Sequence, residues 1–125
     1  LKMAIAVVVN DEGIVTPIVE GTILRIIQQD HSVEDLRNPA LDLTEGRRGA
    51  TLRKAIELGA TTFVAPPETF CELSYKKAQE EQISFINIPA NQSFAQVSEQ
   101  LKSGTIQQSN ELPADEVVAS APVTK

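Results

Sequence analysis

The apolar positions of this chain fall into short runs separated by turn chemistry, and their spacing switches between strand and helix periods. Residues 4–10 (AIAVVVN) form a continuous apolar run closed by Asp11-Glu12-Gly13, the pattern of a strand buried on both faces. The chain resumes as IVTPIVE, where Pro17 makes the return an edge or a loop. Residues 21–29 (GTILRIIQQ) and 32–37 (SVEDLR) read as two strands of a hairpin about the 28–31 turn. A loop over 38–46 leads into RRGATLRKAIELGA, which places Ala50 or Leu52, Ala55, Ile56 and Gly59 at helical spacing, with Gly59 where a terminating glycine belongs. TTFVAPP is a strand stopped by two prolines, and ETFCELSYKKAQEEQ predicts a helix starting at Glu68. ISFINIP is the next strand. Ser93 with Gln96 forms the S-x-x-Q start of a last helix that ends at Gly104.

The resulting order, βββαβαβα, predicts an α/β sandwich whose five-stranded sheet mixes a hairpin with parallel crossovers. From Thr105 onward the sequence TIQQSNELPADEVVASAPVTK has two prolines and no useful period, so residues 105–125 are expected to form a disordered tail beyond a single domain of residues 1–104. The length of 125 residues fits one such domain.

Charge narrows the function classes. Eleven Lys and Arg against 17 Asp and Glu leave a net charge of -6, which disfavours nucleic acid as a main partner. No apolar run approaches the ~18 residues of a membrane span, and the first ten residues lack a signal-peptide pattern, so no membrane partner and a cytoplasmic location are expected. One cysteine, Cys71, and one histidine, His31, exclude an intrachain disulfide and any cysteine-only or histidine-rich metal cage within one chain. The acidic pair Asp11 and Glu12 is adjacent in a turn rather than spread over several strands, which fits turn chemistry better than a two-metal nuclease centre.

Arg47, Arg48, Arg53 and Lys54 crowd the start of the first predicted helix. With the free N–H groups around Gly49 they could receive an anion, or they could form a solvated helix face balanced by Glu45 and Glu57. Cys71 could supply a soft thiolate ligand near a helix start or pack as a small buried residue, and His31 could be a ligand or a solvent-facing turn residue.

Three strings, MAIAVVVNDEGIVTP, RRGATLRKAIELGATTFVA and FAQVSEQLKSG, resemble the nitrogenase accessory factor-like family of the NifX/NafY type. The likeness runs from about Met3 to Gly104, and the GRRGA string carries one arginine more than the family's G-R-G-A. It implies a ribonuclease H-like three-layer sandwich and a non-enzymatic carrier that binds iron-molybdenum cofactor, or an iron–sulfur cluster or precursor, during nitrogenase cofactor biosynthesis. Cofactor-biosynthesis proteins or nitrogenase components are the partners it implies. Carried onto this sequence, the expected cofactor-binding positions are Asn10, Thr16, Arg47, Arg48 and Gly49, with Cys71 and His31 as metal candidates. Where the family commonly reads T-P-H-F-G, this chain reads Thr16-Pro17-Ile18, and isoleucine has no lone pair to offer a metal. Pro66 and Pro67 likewise replace a glycine-rich turn. A diverged module of the same fold that acts through protein contacts or a small anion is the alternative.

Overall fold

The computed structural model describes residues 3–120. Five strands form one sheet: β1 (Ala4–Val9), β2 (Ile23–Ile27), β3 (Val33–Arg37), β4 (Ala60–Ala65) and β5 (Ser84–Asn87), in the spatial order β3-β2-β1-β4-β5. β1 pairs antiparallel with β2, and β2 with β3, while β1, β4 and β5 run parallel. The parallel strands need crossovers, supplied by α1 (Arg47–Glu57) before β4 and α2 (Glu72–Glu80) before β5, with α3 (Phe94–Ser103) following the last strand. The chain is therefore a mixed five-stranded α/β fold with three helices.

Alternation along the strands divides the core in two. Ala4, Ala6 and Val8 of β1 face one side with Leu24, Ile26, Phe63 and Phe85, under Leu52 and Ala55 of α1 and Ala78 of α2. Val7 and Val9 face the other side with Val64, Ile86 and Val97 of α3. Central β1 is covered on both faces, which is why it reads as an unbroken apolar run. Phe70, from the loop before α2, stacks edge-on between Phe63 and Phe85 at centroid distances of 5.4 and 5.5 Å.

Helix ends follow local chemistry. Ser93 accepts the Gln96 N–H at 3.1 Å, and Gly59 and Gly104 follow α1 and α3 at φ of 95° and 75°. The second helix begins four residues later than its sequence predicts, at Glu72 rather than Glu68. Pro66 to Thr69 is a turn instead: the Thr69 N–H and hydroxyl both donate to the Pro66 carbonyl, and Glu68 sits at φ 70°.

The expectation of a disordered tail is corrected over 105–120. This segment lies along the open edge of β5 and the start of α2, with Ser109 and Phe85 exchanging backbone hydrogen bonds of 2.7 and 2.8 Å. Composition missed the contact because it is made through backbone groups rather than an apolar period. Residues 121–125 lie outside the described residues.

Candidate functional site

Because β1, β4 and β5 are parallel, their carboxyl ends and the starts of α1 and α2 share one end of the sheet, where the open α/β topology places crevices. Four loops meet there: 10–22, 38–46, 66–71 and 88–93. Of the positions singled out from sequence, Asn10, Thr16, Arg47, Arg48, Gly49 and Cys71 belong to this end. His31 lies at the opposite one, in the β2–β3 turn at φ 70° and exposed, beside a groove of about 310 Å³ lined in part by Met3, Ile27, Phe94, Leu101 and Ile106. It cannot join the others in one site.

The hub of the carboxyl end is a residue that sequence reasoning passed over. Asn38 is fully buried and every polar capacity of its side chain is used. Its Nδ2 donates to the Ile18 carbonyl at 2.7 Å and the Gly21 carbonyl at 2.8 Å, while Oδ1 accepts from the Thr51 hydroxyl at 2.6 Å and the Ala40 N–H at 3.2 Å. One amide thus ties the 10–22 loop to α1. The Asn-Pro pair at 38–39 was a legible turn signal, but its partners up to 20 residues away were not. Gly21 closes the same loop tightly, since an added Cβ would stand 2.5 Å from Thr16 Oγ1 and 2.6 Å from the Val9 carbonyl oxygen.

Both arginines at the start of α1 are committed to backbone carbonyls. Arg47 donates through Nε to Ala40 O at 2.8 Å and through Nη2 to Val19 O at 3.1 Å. Arg48 donates to Thr69 O at 3.2 Å and Glu68 O at 3.3 Å. They are half-buried loop clamps, so a merely solvated helix face does not describe them. Each guanidinium has five N–H donors and spends two here, leaving three. The helix itself has no side-chain cap: Gly46 precedes it at φ 63°, and the first N–H to find a helical partner is that of Ala50. The N–H groups of Arg47, Arg48 and Gly49 precede it, and an added Cβ at Gly49 would meet open space.

Asn10 and Thr16 serve the first loop. Asn10 Oδ1 accepts the N–H groups of Glu12 and Ile14 at 2.9 and 3.0 Å, an Asx turn, and the Thr16 hydroxyl donates to the Pro17 carbonyl at 3.0 Å. Asp11 bonds the Thr22 hydroxyl across the loop mouth. Ile18, at the position where the resembled family carries histidine, is fully buried in the core under α1 and α2. Its side chain belongs to the packing and not to the loop surface.

Cys71 precedes the first residue of α2 and is half-buried. Its N–H donates to Ser74 Oγ at 2.9 Å, and its Sγ lies 3.3 Å from the same oxygen. Burial pushes the thiol pKa up, but hydrogen bonds with Ser120 and Ser74 outweigh it and leave the group below its ordinary value. Among the described residues, no three His, Cys, Asp or Glu side chains gather as a metal site, and no helix is long and apolar enough to cross a membrane. What this end offers a ligand is therefore N–H donors, two guanidinium groups and one thiol, with the carboxylates of Asp11, Glu12, Glu20, Asp42, Glu45 and Glu68 carried by the same loops.

No protein-family model matches the chain, and no curated protein matches its sequence. Solved structures do match its fold. The apo form of the orange protein from Desulfovibrio gigas superposes with a TM-score of 0.71 at 14% identity, over 85% of this chain and 92% of that one. A proposed NifB protein from Thermotoga gives 0.62 at 10% identity, covering 91% and 97%. A proposed dinitrogenase from Methanocaldococcus jannaschii gives 0.60 at 12% identity, covering 86% and 95%. At such identities the likeness is one of fold, and two of the three folds carry nitrogenase-related names.

Proposed function

We propose that this chain is a non-enzymatic accessory protein with a ribonuclease H-like architecture that carries an anionic metal cluster, iron-molybdenum cofactor or an iron–sulfur precursor, at the carboxyl end of its sheet. The observation that carries this reading is the start of α1, where uncapped N–H groups and two guanidinium groups with donors to spare stand together. The nitrogenase-related fold neighbours support the same class. The cargo is held by charge and hydrogen bonds, because the family's histidine position is filled by buried Ile18 and His31 lies at the far end of the sheet. Cys71 is the one thiol within this end and a candidate contact to the cluster. Cofactor-biosynthesis proteins or nitrogenase components would supply and receive the cargo.

A second reading is a diverged module that has lost metal binding and works through protein contacts or a small anion. The burial of Ile18 and the commitment of Arg47 and Arg48 to carbonyls favour it.

Anaerobic titration of the full chain with isolated iron-molybdenum cofactor, followed by gel filtration and metal analysis, separates the two. A carrier retains one equivalent, loses it progressively as salt rises, and keeps it in His31→Ala. Failure to retain metal at low salt leaves the diverged module. Because both arginines clamp loops, charge reversal there would mix lost binding with lost structure. The informative variant is Arg47→Lys with Arg48→Lys, which keeps the charge but loses the planar fork, read alongside its unfolding midpoint.

A further inference from the structure

The segment 109–120 is bonded to the body as a peptide ligand is bonded to a receptor. It first pairs with the outward-facing N–H and C=O of Phe85, on the edge of β5 that no strand covers. Leu112 N–H then donates to the Tyr75 hydroxyl at 2.9 Å. Glu116 accepts twice, its carbonyl from Glu68 N–H at 2.9 Å and its carboxylate from Asn87 Nδ2 at 2.7 Å. Val118 pairs in parallel with Cys71, donating to Phe70 O at 3.0 Å and accepting from Glu72 N–H at 2.9 Å. Ser120 Oγ accepts from Leu73 N–H at 2.9 Å. The first N–H groups of α2, orphans in any helix, are thus satisfied by acceptors on this strap.

The two sides of this contact differ in how they are held. The receiving side has bonds of its own besides those to the strap. Arg48 clamps the carbonyls of Glu68 and Thr69, Thr69 closes its own turn on Pro66, Ser74 holds the Cys71 N–H, and Phe70 is fully buried between two rings. The strap is held by hydrogen bonds more than by burial: no residue of 105–120 is buried, and Ile106, Leu112, Val117 and Val118 are only half-covered. Segments with few buried apolar contacts open locally at low free energy.

We propose that the groove along the β5 edge, the 66–71 loop and the start of α2 is a receptor for an extended peptide segment of a partner protein, and that residues 109–120 are its built-in occupant. The strap defines the partner's chemistry: an acidic residue facing Asn87, an apolar pair following it, and a hydroxyl two residues beyond the pair. A second copy of this chain is the poorer occupant. Its segment makes the same contacts without the tether that holds the resident one at an effective concentration on the order of millimolar. A partner displaces the strap by contacting more, and room exists: an open cleft lies beside residues 109–111, against Gln79, Gln82 and Ile83. Arg48 then shapes a docking groove, a role separate from any anion at the α1 start.

The test uses a fluorescein-labelled peptide of the sequence SNELPADEVVAS and the full chain carrying Val118→Pro, which removes the strap's donor to Phe70. Anisotropy should show the peptide binding this variant at least tenfold more tightly than the wild type, and a peptide with the same proline should fail. In the untouched wild type, the amides of Glu68, Glu72 and Phe85 should exchange with deuterium at least tenfold faster than those of β1. Equal exchange rates, or a folded variant that ignores the peptide, would overturn the proposal. So would a Val118→Pro chain that unfolds, since the strap would then be part of the body. A variant that dimerises and excludes the peptide would assign the groove to a second copy.

Discussion

The β2–β3 turn and the Asn38–arginine network stand at opposite ends of the sheet and use polar groups in opposite ways. At the amino end, the β2–β3 turn is closed by its own residues: Asp30 accepts from the N–H and hydroxyl of Ser32, and His31 N–H donates to the Gln28 carbonyl. Every partner there is within four residues, and Asp30, His31 and Ser32 are exposed. At the carboxyl end, Asn38, Arg47 and Arg48 reach carbonyls 7 to 28 residues away and are buried or half-buried. A local polar bond replaces water with little net gain, whereas a buried tertiary one leaves several groups unsatisfied when it is removed. Only the second kind can fix four loops around a site.

The strongest way to break this comparison is Asn38→Ala. The substitution strands the carbonyls of Ile18 and Gly21 and the Thr51 hydroxyl inside the protein and leaves a small cavity. A loss of about 3 kcal/mol is expected from groups of this kind, read as a lower urea midpoint at unchanged slope. His31→Ala at the other end should leave the midpoint where it is. Equal effects at both ends would mean that the Asn38 network is no more than a turn.

A smaller effect sharpens the same point within the carboxyl end. Arg47→Ala deprives the Ala40 and Val19 carbonyls of a charged donor, but water reaches this half-buried position. A loss of about 1 kcal/mol is expected, from thermal unfolding of the variant against wild type. A neutral result would return Arg47 to the solvated helix face that its sequence context also allowed.

The contrast also explains what could be read from the sequence. The β1 run, the cap at Ser93 and the stops at Gly59 and Gly104 are local signals, and the structure contains them as such. The 3-2-1-4-5 strand order fits the alternation of hairpin and crossover patterns. Asn38 was invisible because nothing near it in sequence demands a buried amide. Arg47 and Arg48 were visible as charge, but their acceptors are carbonyls, which no residue pattern encodes. The start of α2 was misplaced because Glu68 looks like a residue at a positive helix end, while its backbone turns left-handed under the Arg48 clamp. The strap escaped notice for a related reason: an aperiodic acidic stretch can still offer carbonyls to an open sheet edge.

The smallest expected effect lies on the hairpin, where one cross-strand pair tests whether exposed electrostatics count at all. Arg25 and Asp35 face each other across β2 and β3, with Nε to Oδ1 at 2.7 Å and Nη2 to Oδ2 at 2.8 Å, and the Arg25 guanidinium lies 4.5 Å from the centre of the Phe94 ring. The hydrogen bond from Arg25 holds the Asp35 carboxyl below its usual range. A depressed folded-state value means that the pair stabilises the protein above the unfolded Asp pKa of about 3.9 and loses that contribution as pH falls through the lower folded value. Asp35 keeps 40% of its side-chain surface, so solvent screening limits the gain to well under ~1 kcal/mol. Asp35→Asn should therefore lower stability slightly at neutral pH, and the wild-type advantage should shrink below about pH 4 and in high salt. Urea midpoints of both chains measured from neutral to strongly acidic pH give the comparison directly. A difference that stays constant across that range would assign the effect to packing of Arg25 on Phe94 rather than to the ion pair.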